Sequence, residues 1–226
     1  MDNKSKIRII VLLLAIIFLA QAFLVNAANV IDKSEYILYV PSGVDPAQKY
    51  PLVIAFSPSA DAQLMINTWK KVAEDYKWII FSSKEFRNGI DPTLIYSRIE
   101  SILKDPSFIW PIDKSKIIAT GLSGGGMGSH FFVCFYPGLI NAVVINTGMM
   151  DEQFVSRNDI YPKNKIAVFL ASPTDFRYQE MKRDKNFLES VGWKTKWIEF
   201  EGGHVLAPEA TYQEAAGWLQ EQFKNK

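Results

Sequence analysis

The stretch "KIIATGLSGGGMGSH", residues 116–130, sets a serine between glycines where an apolar run hands over to a helix-compatible segment. Within it, Gly121-Leu122-Ser123-Gly124-Gly125 matches G-x-S-x-G, with a strand expected before it and a helix after it. A plain glycine-rich turn between strand and helix would tolerate many residues here. A nucleophile on a strained corner demands small ones, because side chains two positions away would collide with the turn. A Walker phosphate loop is excluded, since no Lys-Ser or Lys-Thr pair follows the glycines.

A serine hydroxyl attacks poorly until a base takes its proton. The chain has 2 histidines. His130 lies in the helix that follows Ser123, a rise of roughly 10 Å away, and reads as a helix or surface residue. His204, in "EFEGGHV", directly follows the last expected strand, where Gly202 and Gly203 let the backbone carry an imidazole over the sheet. It is the candidate base. The third member must orient the imidazole and stabilise its charged form. Asp175, after the strand "KIAVFLAS", is the preferred candidate, and it could also be a helix N-cap. Asp151, after "NAVVINTG", is the rival. Ser123, Asp175 and His204 follow the chain order Ser, Asp, His.

A developing oxyanion needs preorganised amide donors. Gly124, right after the serine, supplies one. The loop "SPSADA" after "PLVIAF" should supply the other; Pro58 has no N–H, which leaves Ser59 or Ala60, with Ser59 favoured. The same loop also reads as a simple turn in which Asp61 caps the next helix.

Outward from the serine, strand-like and helix-like segments alternate from residue 34. "EYILYV", "YPLVIAFSP", "WIIFSS", "KIIATG", "NAVVINTG", "KIAVFLAS" and "KTKWIEFEGG" read as strands. "AQLMINTWKKVAEDYK", "DPTLIYSRIESILKD" with Asp91 as N-cap, "DFRYQEMKRDKNFLESVG" and "PEATYQEAAGWLQEQF" read as helices. Nearly continuous apolar strands between helices imply a mostly parallel α/β sheet covered on both faces. In such sheets ligands bind at the carboxyl ends of the strands, where Ser123, Asp175 and His204 all fall.

With 226 residues, net charge +1 and 48% apolar composition, the chain suits one compact domain without an electrostatic case for nucleic acid. Lys4, Lys6 and Arg8 precede the apolar run Ile9–Ala20, and Val25-Asn26-Ala27 offers small residues for cleavage. The expected organisation is a signal peptide over residues 1–27 and a single domain over residues 28–226, exported and without a membrane partner once cleaved. An uncleaved anchor is the alternative, although Gln21 interrupts the run. Cys134, in "FFVCFYP", is the only cysteine and reads as a small buried hydrophobe.

The run "PIDKSKIIATGLSGGGMGSH", the loop "PLVIAFSPSADA" and the ending "EFEGGHV" resemble the α/β-hydrolase superfamily. Within it the chain looks like exported, lidless esterases related to polyhydroxybutyrate depolymerases, feruloyl esterases and dienelactone hydrolases. The resemblance implies an α/β-hydrolase fold over most of residues 34–226 and hydrolysis of a carboxylic ester, with no metal or organic cofactor. Two departures stand out. Those esterases usually carry His-Gly where this chain has Ser57-Pro58, and dienelactone hydrolases use a cysteine where this chain has Ser123. The connection from Gly148 to Asn164 is too short for a helical lid, so an open site is expected. Phe86, Met127 and Met149, with Arg87 and Met150 beside them, sit where pocket walls would form. An acyltransferase or a peptidase would use the same three residues, and a non-catalytic binding protein on this fold would lack the activity.

Overall fold

The computed structural model describes residues 27–152 and 161–224. The expected signal segment, apart from Ala27, lies outside the described residues, as does part of the Gly148–Asn164 connection. Eight strands form one sheet: β1 (Asn29–Asp32), β2 (Tyr36–Val40), β3 (Tyr50–Phe56), β4 (Ile79–Ser83), β5 (Ile112–Leu122), β6 (Ala142–Asn146), β7 (Ile166–Ala171) and β8 (Lys194–Glu199). Their order across the sheet is β1-β2-β4-β3-β5-β6-β7-β8. The β1–β2 and β2–β4 pairs are antiparallel, and every pair from β4 through to β8 is parallel.

Five described helices cover the two faces: α1 (Ala62–Tyr76), α2 (Thr93–Lys104), α3 (Gly124–Phe135), α4 (Tyr178–Ser190) and α5 (Glu209–Lys224). Strand β3 shows why both faces need cover. Leu52, Ile54 and Phe56 point into one core with Tyr96 of α2, Phe132 of α3 and Met181 of α4. Val53 and Ala55 point into the other, with Trp69 of α1 and Tyr212 and Leu219 of α5. A strand buried on both faces must be apolar throughout, which is why its sequence shows no alternation.

Helix boundaries follow local chemistry. Asp61 caps α1 by accepting from Leu64 N at 2.8 Å. The N-cap of α2 shifts by one residue from the expected place: Pro92 occupies the cap, and Asp91 reaches in from outside to accept from Thr93 N at 2.9 Å and Thr93 Oγ1 at 2.7 Å. The sequence pattern gives no hint of β1, an exposed four-residue edge strand with no buried face. Cys134 is half-buried against the core, and burial pushes its thiol up to about 12.

Because β3 and β5 through β8 run parallel, their carboxyl ends share one edge. Ser57, Ser123, Thr147, Ser172 and Phe200 are the first residues beyond them.

Candidate active site

Ser123 joins β5 to α3 with φ 53° and ψ −117°, a backbone conformation that side chains rarely adopt. Such strain costs on the order of 1–3 kcal/mol and persists only where its surroundings hold it. Ser123 N donates to Asn146 O on β6 at 2.9 Å, and Ser123 O accepts from Met127 N at 3.1 Å. The flanking glycine at 125 is obligatory: a Cβ there would lie 2.1 Å from Phe56 O on β3. The corner therefore closes only against bare backbone, and the serine hydroxyl stands proud of the sheet edge.

His204 reaches this hydroxyl from the far side. From β8 to β5 there are three inter-strand steps, roughly 14 Å of sheet to cross. Gly202 at φ +135° and Gly203 at φ +75° turn the chain back over the sheet, and Gly203 N donates to Ser172 Oγ at 2.9 Å. The loop is then tied down midway by Asn146, the fully buried last residue of β6. Asn146 Nδ2 donates to Val205 O at 2.9 Å, and Asn146 Oδ1 accepts from Ala207 N at 2.7 Å and from Tyr212 Oη at 2.6 Å. The same residue thus holds the serine corner through its backbone and the histidine loop through its side chain.

The imidazole is engaged on both sides. His204 Nδ1 lies 2.9 Å from Asp175 Oδ2, and His204 Nε2 lies 2.8 Å from Ser123 Oγ. A carboxylate only accepts, so the proton belongs on Nδ1 and Nε2 accepts from the serine hydroxyl. The Asp175 side chain is wholly buried and also accepts from Arg177 N at 2.6 Å through Oδ1. Asp175, and not the rival Asp151, therefore meets His204, and the chain turns sharply enough after β7 that Asp175 also organises the start of α4. The Phe176 ring packs over His204 at 4.5 Å between centroids.

The other sequence-derived residues fall in different places. Gly124 lies beside the serine, and a Cβ on it would come 1.8 Å from Asn88 Oδ1, so the Asn88 amide presses against this edge of the site. Ser59 is exposed; its N–H donates to Ser57 Oγ at a long 3.3 Å, and it pairs with Arg87 in an isolated bridge. Met127 and Met149 line an open cleft of about 270 Å³ around Ser123, together with Asn88, Gly148 and Arg177. Phe86 does not line it. Its ring is buried in the core 4.8 Å from Phe56, in the space Gly128 leaves by having no Cβ, which would otherwise come 2.4 Å from that ring. Met150 is likewise buried; its N–H donates to Asp184 at 2.6 Å. Burial raises that carboxyl to about 6. His130 is a helix residue as expected but not a surface one: it is completely buried, with Nδ1 2.8 Å from Tyr161 Oη.

Sequence reasoning missed Asn146, Asn88 and Arg177. Only their places, at the end of β6 for Asn146, in the loop after β4 for Asn88 and two residues after Asp175 for Arg177, could have pointed to them. A larger groove of about 800 Å³, bordered by Ile109, Phe135 and Leu139, lies toward the amino ends of the strands and contains none of these residues. Among the described residues no cluster of His, Cys, Asp and Glu could hold a metal ion, and no helix is long and apolar enough to cross a membrane.

No protein-family model matches the chain, and no curated protein matches it by sequence. Solved structures do. A thermostable esterase superposes on 87% of this chain with a TM-score of 0.61 and 22% identity; the chain spans 63% of that esterase's length. S-formylglutathione hydrolase FrmB of Staphylococcus aureus matches 85% of this chain and 96% of its own, with a TM-score of 0.64 and 12% identity. For the carboxylesterase of Bacillus cereus the figures are 82%, 93%, 0.63 and 16%. The chain therefore has the α/β-hydrolase fold: a mostly parallel eight-stranded sheet between helices.

Proposed function

We propose that the chain is a serine esterase that cleaves a carboxylic ester through an acyl-enzyme. The observation that carries this reading is the continuous hydrogen-bonded chain from Asp175 through His204 to Ser123, at 2.9 and 2.8 Å, over an open cleft. Ser123 Oγ attacks the ester carbonyl carbon as its proton passes to His204 Nε2. The carbonyl electron pair moves onto oxygen, which the Gly124 N–H meets. Ser59 N–H joins it by giving up its long bond to Ser57 Oγ. Collapse expels the alcohol, which takes the proton from His204, and leaves the acyl group on Ser123. Water then repeats the sequence, giving its proton to His204 and releasing the acid. Throughout, Asp175 keeps the imidazole turned and stabilises its charged form. The named activities of the structural neighbours, esterases and an S-formylglutathione hydrolase, lend this chemistry support.

Stopped-flow mixing with 4-nitrophenyl acetate tests the proposal. A burst of one nitrophenolate per enzyme, an acetylated Ser123 peptide and a rate lost on acidification are expected, because a protonated His204 cannot take the serine proton. A burst with no subsequent water-driven turnover, but rapid capture of the acyl group by added alcohol, would make the chain an acyltransferase instead. We further place the reaction outside the cytoplasm, on the basic, apolar and small segments of residues 4–27. Recovery of a mature chain beginning at Ala28 would support that placement, and an intact Met1 in the exported fraction would oppose it.

A further inference from the structure

Arg177 stands two residues beyond Asp175, at the head of α4, and its own N–H is bound to the buried carboxylate. Of the described residues lining the cleft around Ser123, it is the only one charged at neutral pH. A guanidinium carries five N–H donors in a rigid fork. Here Nη1 faces Met149 Sδ at 3.1 Å and Glu180 Oε1 at 3.4 Å, while Nε and Nη2 have no protein acceptor among the described residues. The group packs on an aromatic ring: its carbon lies 5.1 Å from the centroid of Phe176, whose ring also packs against the His204 ring.

A structural role explains this poorly. The Glu180 contact is long, and both side chains are about a third exposed, a setting in which an ion pair contributes little. The other described residues of its wall, Asn88, Thr147, Met127, Met149, Ser123 and three glycines, offer no charge to balance the cation. An arginine stacked through its face, lining a cleft and with N–H donors left over suits a planar oxyanion, which it binds through paired N–H donors.

We propose that Arg177 forms an anion subsite and that the preferred substrates are esters bearing a carboxylate near the scissile bond. This rests on the esterase reading and adds the substrate class to it. The test compares kcat/KM within two pairs of probes: mono-4-nitrophenyl adipate against 4-nitrophenyl hexanoate, with the charge on the acid side, and hexanoyl 4-hydroxybenzoate against hexanoyl 4-hydroxybenzamide, with the charge on the alcohol side. The charged member of one pair should be favoured by about tenfold, the factor that about 1.4 kcal/mol provides. That preference should shrink with added salt. It should disappear in Arg177→Met and survive in part in Arg177→Lys, each read as a ratio of the two substrates so that a general loss of activity cancels. Fluorophosphonate labelling of Ser123 in every variant shows that the triad still stands. A labelled enzyme that hydrolyses neutral esters as well as charged ones in both pairs, or a preference unmoved in Arg177→Met, overturns the anion subsite and leaves the esterase reading in place. An unlabelled wild type that hydrolyses no probe overturns both.

Discussion

The chain has 2 histidines, and the structure treats them in opposite ways. The His204 side chain is 28% exposed, with one ring nitrogen on a carboxylate and the other on a serine hydroxyl. His130 is wholly enclosed by the core; Nδ1 meets Tyr161 Oη, and Nε2 has no hydrogen-bond partner among the described residues. Burial alone holds its imidazole down to about 3, so it stays neutral at any ordinary pH. The difference teaches what makes an imidazole a base. It needs a proton donor in reach, a partner that accepts when the ring becomes charged, and water on one side. His204 has all of these, whereas His130 has only the neutral Tyr161 hydroxyl and no access to water.

The comparison breaks most dramatically at His204. His204→Ala should lower kcat/KM by about 10⁴-fold or more, and adding Ser123→Ala should cost little further, since residues acting as one unit are not additive. His130→Phe, by contrast, should change kcat/KM by no more than severalfold, with its effect read in thermal unfolding instead.

A smaller effect is expected where the two loops of the site are joined. Asn146→Ala removes the acceptor for Ala207 N and Tyr212 Oη and the donor to Val205 O. Leaving such buried groups unpaired costs roughly 1–3 kcal/mol each. Both the melting temperature and kcat should fall, the latter by about 10- to 100-fold, because a misplaced general base slows chemistry more than binding. A variant that melts lower with kcat untouched would show that the Asn146 ties serve stability alone. At the corner itself, Gly125→Ala must displace the Phe56 carbonyl, whereas Gly124→Ala meets only the exposed Asn88 side chain. Chemical denaturation should therefore rank Gly125→Ala well below Gly124→Ala in stability.

The smallest effect lies in the pH dependence of folding. The folded-state value of His130 is below its ordinary 6.5, so its neutral form stabilises the native state above about 6.5, and that contribution is lost as pH falls toward 3. The limiting slope for one proton is about 1.4 kcal/mol per pH unit. Asp184 acts in the opposite sense: raised from 3.8 to about 6, it contributes stability that is full below 3.8 and lost as pH rises through 6. Urea unfolding from pH 4 to 7.5 should show stability rising less, or falling, between about 4 and 6.5 in His130→Phe, and rising more steeply between about 4 and 6 in Asp184→Asn. Parallel curves for wild type and His130→Phe would mean that the unfolded and folded imidazoles titrate alike.

Much of the site was legible because its chemistry is written in rare residues at strand ends. The Gly121–Gly125 run marks its own strained corner, and a histidine two glycines beyond the last strand has few other purposes. The sequence favours Asp175 over Asp151, but each follows an apolar strand and only the turn after β7 decides which faces His204. Asn146 was invisible because its partners lie 59 to 66 positions away. Phe86 was misplaced because the space that draws its ring inward is created by Gly128 on another element. Strand β1 escaped notice for the converse reason: an exposed edge strand imposes no apolar pattern.

The central claim is that His204 activates Ser123. The most direct measurement is mass spectrometry of the protein after a fluorophosphonate probe, with Ser123→Ala and His204→Ala alongside. Label confined to the Ser123 peptide of the wild type, and absent from both folded variants, is the predicted result. A folded wild type that takes no label, or a His204→Ala variant labelled as fast as the wild type, would contradict it.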